Sequence, residues 1–285
     1  MKTIRKRRET PVIDKPSPLS TPEPWQLVAE GYAAEASLVM APFSQRAAEL
    51  LAPGPSARVL DVATGPGTLA IRLAPAVREL VALDFSERML AELQRAASAA
   101  GVVNLRAVIG DGQDLPFGDA EFDAGFSIFG LMFFPDRARG FAELARVLKP
   151  GAGAVVSAWA SLEDSSLLRT MFGALAAADP SFVMPVRNDA GLENPEVLAA
   201  EMRAGGFERV RIEPMTVTIR PSNAQEFWSS MSRSSAPLVL LRNRLGETEW
   251  QRREPIMIEF LGQALAREPE LATTAWLAVG YNPST

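Results

Sequence analysis

Between residues 57 and 160 the chain repeats one rhythm, a short and almost unbroken apolar run followed by a stretch with helical spacing. The runs are "ARVLDVA" (57–63), "ELVALDFS" (79–86), "VNLRAVIGD" (103–111), "FDAGFSIFG" (122–130) and "GAVVSAWA" (153–160). A strand wetted on one face must alternate apolar with polar residues, and these largely do not, so both faces are expected to be covered. Among the intervening stretches, "GTLAIRLAPAV" (67–77) reads as helical, and "SERMLAELQRAASAAG" (86–101) has Ser86 as N-cap and Gly101 as terminator. Its Met89, Leu90, Leu93 and Ala97 share one face. "PDRARGFAELARVLKPG" (135–151) turns Phe141, Leu144 and Leu148 inward before Lys149-Pro150-Gly151 closes it. Strands alternating with helices make an α/β, Rossmann-like fold with a parallel sheet and helices on both faces.

The flanks extend this plan. Residues 25–51 form an expected N-terminal helical cap, with Trp25, Leu27, Val28, Tyr32 and Leu38 in helical spacing, ending at the breaker-rich "APGPS". After Trp159 the rhythm changes: 161–193 is helical and then irregular, 194–207 helical, 207–214 an alternating strand, 222–268 two or three helices, and 273–282 a last strand. The expected organisation is a basic, disordered tail over 1–24 and a domain over 25–285, with a ligand-binding core at about 57–160. About seven strands result, with a helical insertion before the final one.

Composition excludes several chemistries. The 285 residues contain neither cysteine nor histidine, which removes disulfides, thiolate metal sites, cysteine nucleophiles and the usual general base. No metal site is expected. The net charge of −5 argues against nucleic acid as a partner. Residues 1–24 carry six Lys/Arg, three acids and five prolines, so they hold +3 and leave −8 on the rest. No apolar run long enough for a signal peptide or a membrane span follows the basic cluster, and a cytoplasmic location is expected.

The turn after the first run, "VLDVATGPGTLA" (59–70), passes through Gly65-Pro66-Gly67 at the carboxyl end of a strand, where open parallel sheets bind ligands. Residues without Cβ let the chain take positive φ and let a ligand approach the backbone. One reading is tight packing alone. Another is a dinucleotide, because Gly65, Gly67 and Ala70 satisfy G-x-G-x-x-G/A. Yet Pro66 removes an N–H from the turn, and Asp61 sets a negative charge beside it. S-adenosylmethionine, with a sulfonium, an ammonium and one carboxylate, suits both residues. Asp84 ends the second run 23 residues later, where a carboxylate can take both ribose hydroxyls. Asp111 ends the third and can accept from an adenine amino group. Three acids thus end three successive strands.

"VLDVATGPG", "VALDFSERML", "GDGQDLPFGDAEFDAGFSIFGLMFFPD" and "ELARVLKPGAG", in this order and spacing, resemble the class I S-adenosylmethionine-dependent methyltransferases. The branch most similar is that of the ubiquinone/menaquinone C-methyltransferases. The likeness covers roughly 25–160, and more weakly "GLENPEVLAAEMRAGGFERVRIEP". It implies a seven-stranded, mostly parallel sheet with an antiparallel last strand. It also implies cofactor positions: Asp61, Ala63, Gly65 and Gly67 beside the methionine portion, and Asp84 on the ribose. Phe85 and Met89 would flank the adenine, Asp111 and Gly112 read its edge, Ser127 lie beneath the sulfonium, and Tyr32 close the site. Ala63 departs from the glycine that the family often carries there.

Methyl transfer is an in-line displacement that needs orientation and a dry site more than any reactive side chain, so a chain lacking Cys and His can perform it. No catalytic base is assigned. The expected substrate is a small, apolar, natural-product or quinone-like molecule. Its wall is expected from Phe129, Met132, Trp159, Met184 and Trp228, with Phe133, Met171 and Met231 as further candidates and Arg233 able to steady an anion. Two rivals stand beside this: a protein of the same fold that binds the cofactor but promotes cyclisation or rearrangement, and a nicotinamide-dependent oxidoreductase. Monomer and homodimer are both open.

Overall fold

The computed structural model describes residues 17–186 and 188–284, so the basic cluster of the tail lies outside the described residues. Residues 18–24, expected within that tail, are instead built into the fold. Pro18–Ser20 make a 3-10 turn, and α1 (Pro22–Gly31) begins at Pro22 with a proline in its first turn, where a missing N–H costs nothing. A five-residue π-turn, Tyr32–Ala36, joins α1 to α2 (Ser37–Leu51).

The five expected strands follow: β1 (Arg58–Val62), β2 (Glu79–Asp84), β3 (Leu105–Ile109), β4 (Phe122–Ile128) and β5 (Leu148–Trp159). Between them run α3 (Ala70–Leu73), α4 (Glu87–Ala99) and α5 (Arg137–Val147). Ser86 caps α4 as expected, its Oγ accepting the Met89 N–H at 3.3 Å, and Asp136 caps α5 through the Arg139 N–H at 3.0 Å. The helix expected over 67–77 shrinks to α3 and a 3-10 turn, Ala74–Ala76, around Pro75. β5 begins five residues early. Lys149-Pro150-Gly151 both ends the preceding helix pattern and enters the strand, where the register against β4 shifts between Phe122 and Ala124.

Beyond β5 come α6 (Ser166–Ala178), α7 (Pro195–Ala204), β6 (Glu208–Ile219), the inserted helices α8 (Ala224–Ser234), α9 (Ala236–Leu245) and α10 (Glu247–Arg267), and β7 (Leu271–Tyr281). The sheet has the order β3-β2-β1-β4-β5-β7-β6. β7 alone runs antiparallel to its neighbours, β5 and β6.

Period-two alternation along the buried strands feeds two cores, broken in β4 where the register shift between Phe122 and Ala124 sends these two residues to opposite faces. Leu60, Val62, Val81, Leu83 and Phe122 pack with α5 and α7 on one face, whereas Val59, Leu80, Ala82, Ala124 and Phe126 pack with α2, α3 and α4 on the other. A third cluster, built on Met171, Trp228, Trp250, Met257 and Leu261, joins α6, α8 and α10 beside the ends of β6 and β7. No described helix is long and apolar enough to cross a membrane.

Candidate functional site

The carboxyl ends of β1, β2, β3 and β4 converge where the strand order reverses, between β1 and β4, and there they border a cleft. The backbone after β1 is what shapes it. Ala63, Gly65 and Gly67 all lie at positive φ, +55°, +57° and +85°. The two glycines differ in purpose. A Cβ on Gly65 would meet nothing within 4 Å, whereas one on Gly67 would press on Leu93 Cδ1 at 2.9 Å. Gly65 therefore keeps a space open, and Gly67 lets α4 sit close. Ala63, forced into the left-handed region without a glycine, is locked by its successor: the Thr64 N–H donates to the Leu83 carbonyl at 3.0 Å.

The first two acids are built into this turn. Thr64 Oγ1 donates to Asp61 Oδ2 at 2.6 Å, and the Gly65 and Ser86 N–H groups donate to the two oxygens of Asp84 at 2.8 and 2.9 Å. Both side chains are buried. Burial pushes Asp61 up to about 7, against the Thr64 hydrogen bond and with help from the neighbouring Asp84 charge. Burial also raises Asp84, to about 6, opposed by its backbone N–H donors. Asp111, by contrast, is exposed and accepts the Gln113 N–H at 2.9 Å.

All three carboxylates line the cleft, and among the described residues no lysine or arginine does. Buried carboxylates lacking a cation favour a ligand that brings one, and they repel a diphosphate. The donor set therefore fits S-adenosylmethionine: acids for its positive groups and ribose, and an open backbone turn at Gly65.

The remaining wall is apolar. Phe85 and Met89 line it from the start of α4, and Phe129, Phe133 and Phe134 from the β4 end. Gly112 lines it too, and a Cβ there would collide with the Phe134 ring. The Tyr32 hydroxyl donates to Met40 Sδ at 2.8 Å; burial and the Asp84 charge raise its pKa and keep it protonated. Leu19, Ser20 and Trp25 complete the wall from the N-terminal segment.

Nine of the eleven residues expected around a cofactor line this cleft: Tyr32, Asp61, Ala63, Gly65, Asp84, Phe85, Met89, Asp111 and Gly112. Gly67 and Ser127 do not. Gly67 serves packing, and Ser127 is fully buried with its Oγ accepting the Leu131 N–H at 3.1 Å. The substrate set fares worse. Phe129 and Phe133 line the cleft, but Trp159 stands behind, stacked on Phe129 with centroids 4.0 Å apart, and Met132 packs between cores. Trp228 is a core residue whose Nε1–H donates to Glu254 at 2.8 Å, and Met171 and Met231 belong to the same cluster. Met184 lies in an irregular stretch beyond α6. Arg233 pairs with Glu35 at 2.6 Å. Leu19, Ser20 and Met40 carry no signal of this place in the sequence; for Phe134, only its position in the "LMFFP" run pointed here.

Residues 59–151 match the family described as "Methyltransferase domain". The chain is 40% identical over 192 residues to a demethylmenaquinone methyltransferase of Deinococcus radiodurans, covering 61% of this chain and 76% of that protein. It is 34% identical over 180 residues to a demethylmenaquinone methyltransferase of Clavibacter sepedonicus, covering 59% of this chain and 73% of the other. Among solved structures, the YcgJ protein from Bacillus subtilis superposes with a TM-score of 0.58 at 21% identity, covering 85% of this chain and 98% of that one, a likeness of fold.

Proposed function

The chain belongs to the class I S-adenosylmethionine-dependent methyltransferases, in the ubiquinone/menaquinone C-methyltransferase-like branch, and on that premise we propose that its acceptor is a small, apolar, quinone-like aromatic molecule. Methyl transfer from S-adenosylmethionine to a small molecule is its activity. The observation that carries the finer reading is the lining of one cleft, which joins three carboxylates with a wall of Phe129, Phe133 and Phe134 and, among the described residues, offers no cation to hold an anionic substrate. The names of the relatives, which act on demethylmenaquinone, point to the same acceptor class.

In this reading Asp84 takes the ribose hydroxyls, Asp61 balances the positive charge of the methionine end, and the open face at Gly65 admits the chain of the cofactor. Phe85 and Met89 flank the base, and Asp111 with Gly112 reads its edge. The bound cofactor supplies an electrophilic methyl on a sulfonium. The protein's part is to orient the two reactants and exclude water, work that can lower a barrier by about 7–11 kcal/mol. The cytoplasm is the proposed setting, because a cysteine-free chain carries no disulfide framework for an oxidising one.

The test is incubation with methyl-labelled S-adenosylmethionine and a reduced, short-chain demethylnaphthoquinone. S-adenosylhomocysteine and a labelled, C-methylated quinol are expected together. Turnover confined to polar or phosphorylated acceptors would overturn the acceptor assignment.

A further inference from the structure

Three aromatic rings on the cleft do more than add apolar area. Trp25, Tyr32 and Phe133 all line it. Trp25 stands across from Tyr32 with centroids 6.0 Å apart and planes at 82°, and across from Phe133 at 5.1 Å and 59°. Trp25 thus packs edge-on or tilted against both neighbours, and the three rings form one aromatic cluster on the cleft. Each polar handle is used up outside the trio. The Trp25 Nε1–H donates to the Leu19 carbonyl at 2.8 Å, and the Tyr32 hydroxyl donates to Met40 Sδ at 2.8 Å. What remains for a ligand is π surface, whose faces carry partial negative charge.

The same cleft holds the buried carboxylates of Asp61 and Asp84 and, among the described residues, no side-chain cation. Ring faces and carboxylates therefore bias it in one direction, towards positive charge in a poorly hydrated space. A cation within about 6 Å of an aromatic face is attracted to it, and more strongly once water is excluded. We propose that Trp25, Tyr32 and Phe133 form a box that reads the sulfonium charge of S-adenosylmethionine and so separates the methyl donor from its neutral demethylated product. This rests on the cofactor reading above. A thioether carries no charge, gains nothing from the rings beyond contact, and leaves more readily. The box would thus be a specificity device that counters product inhibition.

Isothermal titration of the full chain with S-adenosylmethionine, S-adenosylhomocysteine and sinefungin, an analogue with an ammonium-bearing carbon in place of the S-methyl, tests this without turnover. In Phe133→Leu the preference for donor over product is expected to fall about tenfold, with sinefungin following the donor, and Phe133→Tyr is expected to retain it. Trp25→Leu should act in the same direction; Phe133 carries the test if the loss of the Leu19 hydrogen bond unsettles the fold. Equal weakening of donor and product would mean that the rings supply contact area only, and the proposal fails. Unchanged binding of both would assign the trio to the acceptor, and it fails again. A wild-type protein that binds neither compound would instead remove the cofactor reading on which the box depends.

Discussion

Gly65 and Gly67 sit two positions apart in one turn, both at positive φ, yet a methyl group would do different things at each. At Gly65 it would enter open space in the cleft; at Gly67 it would press into Leu93. Gly65→Ala should cost about 1–2 kcal/mol of backbone strain and act chiefly on cofactor affinity. Gly67→Ala should add about 1–3 kcal/mol of overpacking and act chiefly on the melting temperature. Paired calorimetry and thermal denaturation check the order, and a reversed order would make Gly65 the packing residue. Asp61 and Asp84 invite a different measurement. Their folded-state values, about 7 and about 6, lie above an unfolded value near ~4, so across that window the native state keeps protons that the unfolded chain has already released. Stability contributed by these two groups therefore falls as pH rises from about 4 to about 7. A cationic ligand favours the carboxylates, so binding should release protons near pH 6.5 and tighten up to neutral pH. Asp61→Asn is expected to stabilise the ligand-free protein by about 1–2 kcal/mol at pH 8 while weakening the cofactor. Asp84→Asn should weaken it by about 1.5–3 kcal/mol through lost charge-assisted hydrogen bonds. If Asp61→Asn shifts neither stability nor affinity, that carboxylate does not serve the ligand.

At the scale of elements, α8 leans on the π-turn that carries Tyr32. Arg233 Nη2 and Ser230 Oγ donate to the Glu35 carboxylate at 2.6 and 2.8 Å, and a Cβ on Gly31 would collide with the Arg233 carbonyl. A carbonyl in a helix cannot swing aside as a side-chain end can. Gly31→Ala should therefore destabilise by about 1–3 kcal/mol and weaken the cofactor by displacing Tyr32, whereas Arg233→Ala, breaking a half-exposed pair, should cost less than about 1 kcal/mol. Chemical denaturation with titration calorimetry separates them; equal effects would mean that the ion pair, and not the close approach, holds α8. None of this contact was legible in the sequence, where Arg233 read as a residue able to steady an anion. The strands β1, β2, β4 and β5 were legible, because burial on both faces writes itself as an apolar run. β3 was legible from its apolar residues alone, for it lies at the sheet edge with Arg106 and Ile109 exposed, and its two faces are not both covered as expected. The acids were legible too, because a strand end places its residue at the sheet edge whatever the neighbours are. Trp228 and Met171 were misplaced for a physical reason: helical spacing reports that a side chain is buried, not which element buries it. Leu19 was hidden in a proline-rich segment whose docking depends on a hydrogen bond to Trp25 that composition does not encode.

Across the whole molecule, the cleft is shared between two parts of the chain that fold on different logic. Its floor is the edge of β1 to β4, set by the two cores that sandwich the sheet. Its outer wall, from Leu19 to Ser44, belongs to the N-terminal helices, which hold few core residues of their own and lean on α4 and α9 through Val28, Ala29, Met89 and Ala236. A bound cofactor touching both parts should tie them together. Any opening that frees the outer wall then requires its release, and at a concentration one hundred times Kd that adds about 2.7 kcal/mol, a slowing of roughly a hundredfold. Amide hydrogen exchange is expected to show this retardation across 17–44 as well as at the turn 63–67, to a smaller degree in α8 through its Glu35 contacts, and not at all on the outer face of α10. Exchange slowed at 63–67 but unaltered across 17–44 would mean that the N-terminal helices open without disturbing the cofactor. The site would then contract to the sheet edge, and Tyr32 and Trp25 would lose their place in it.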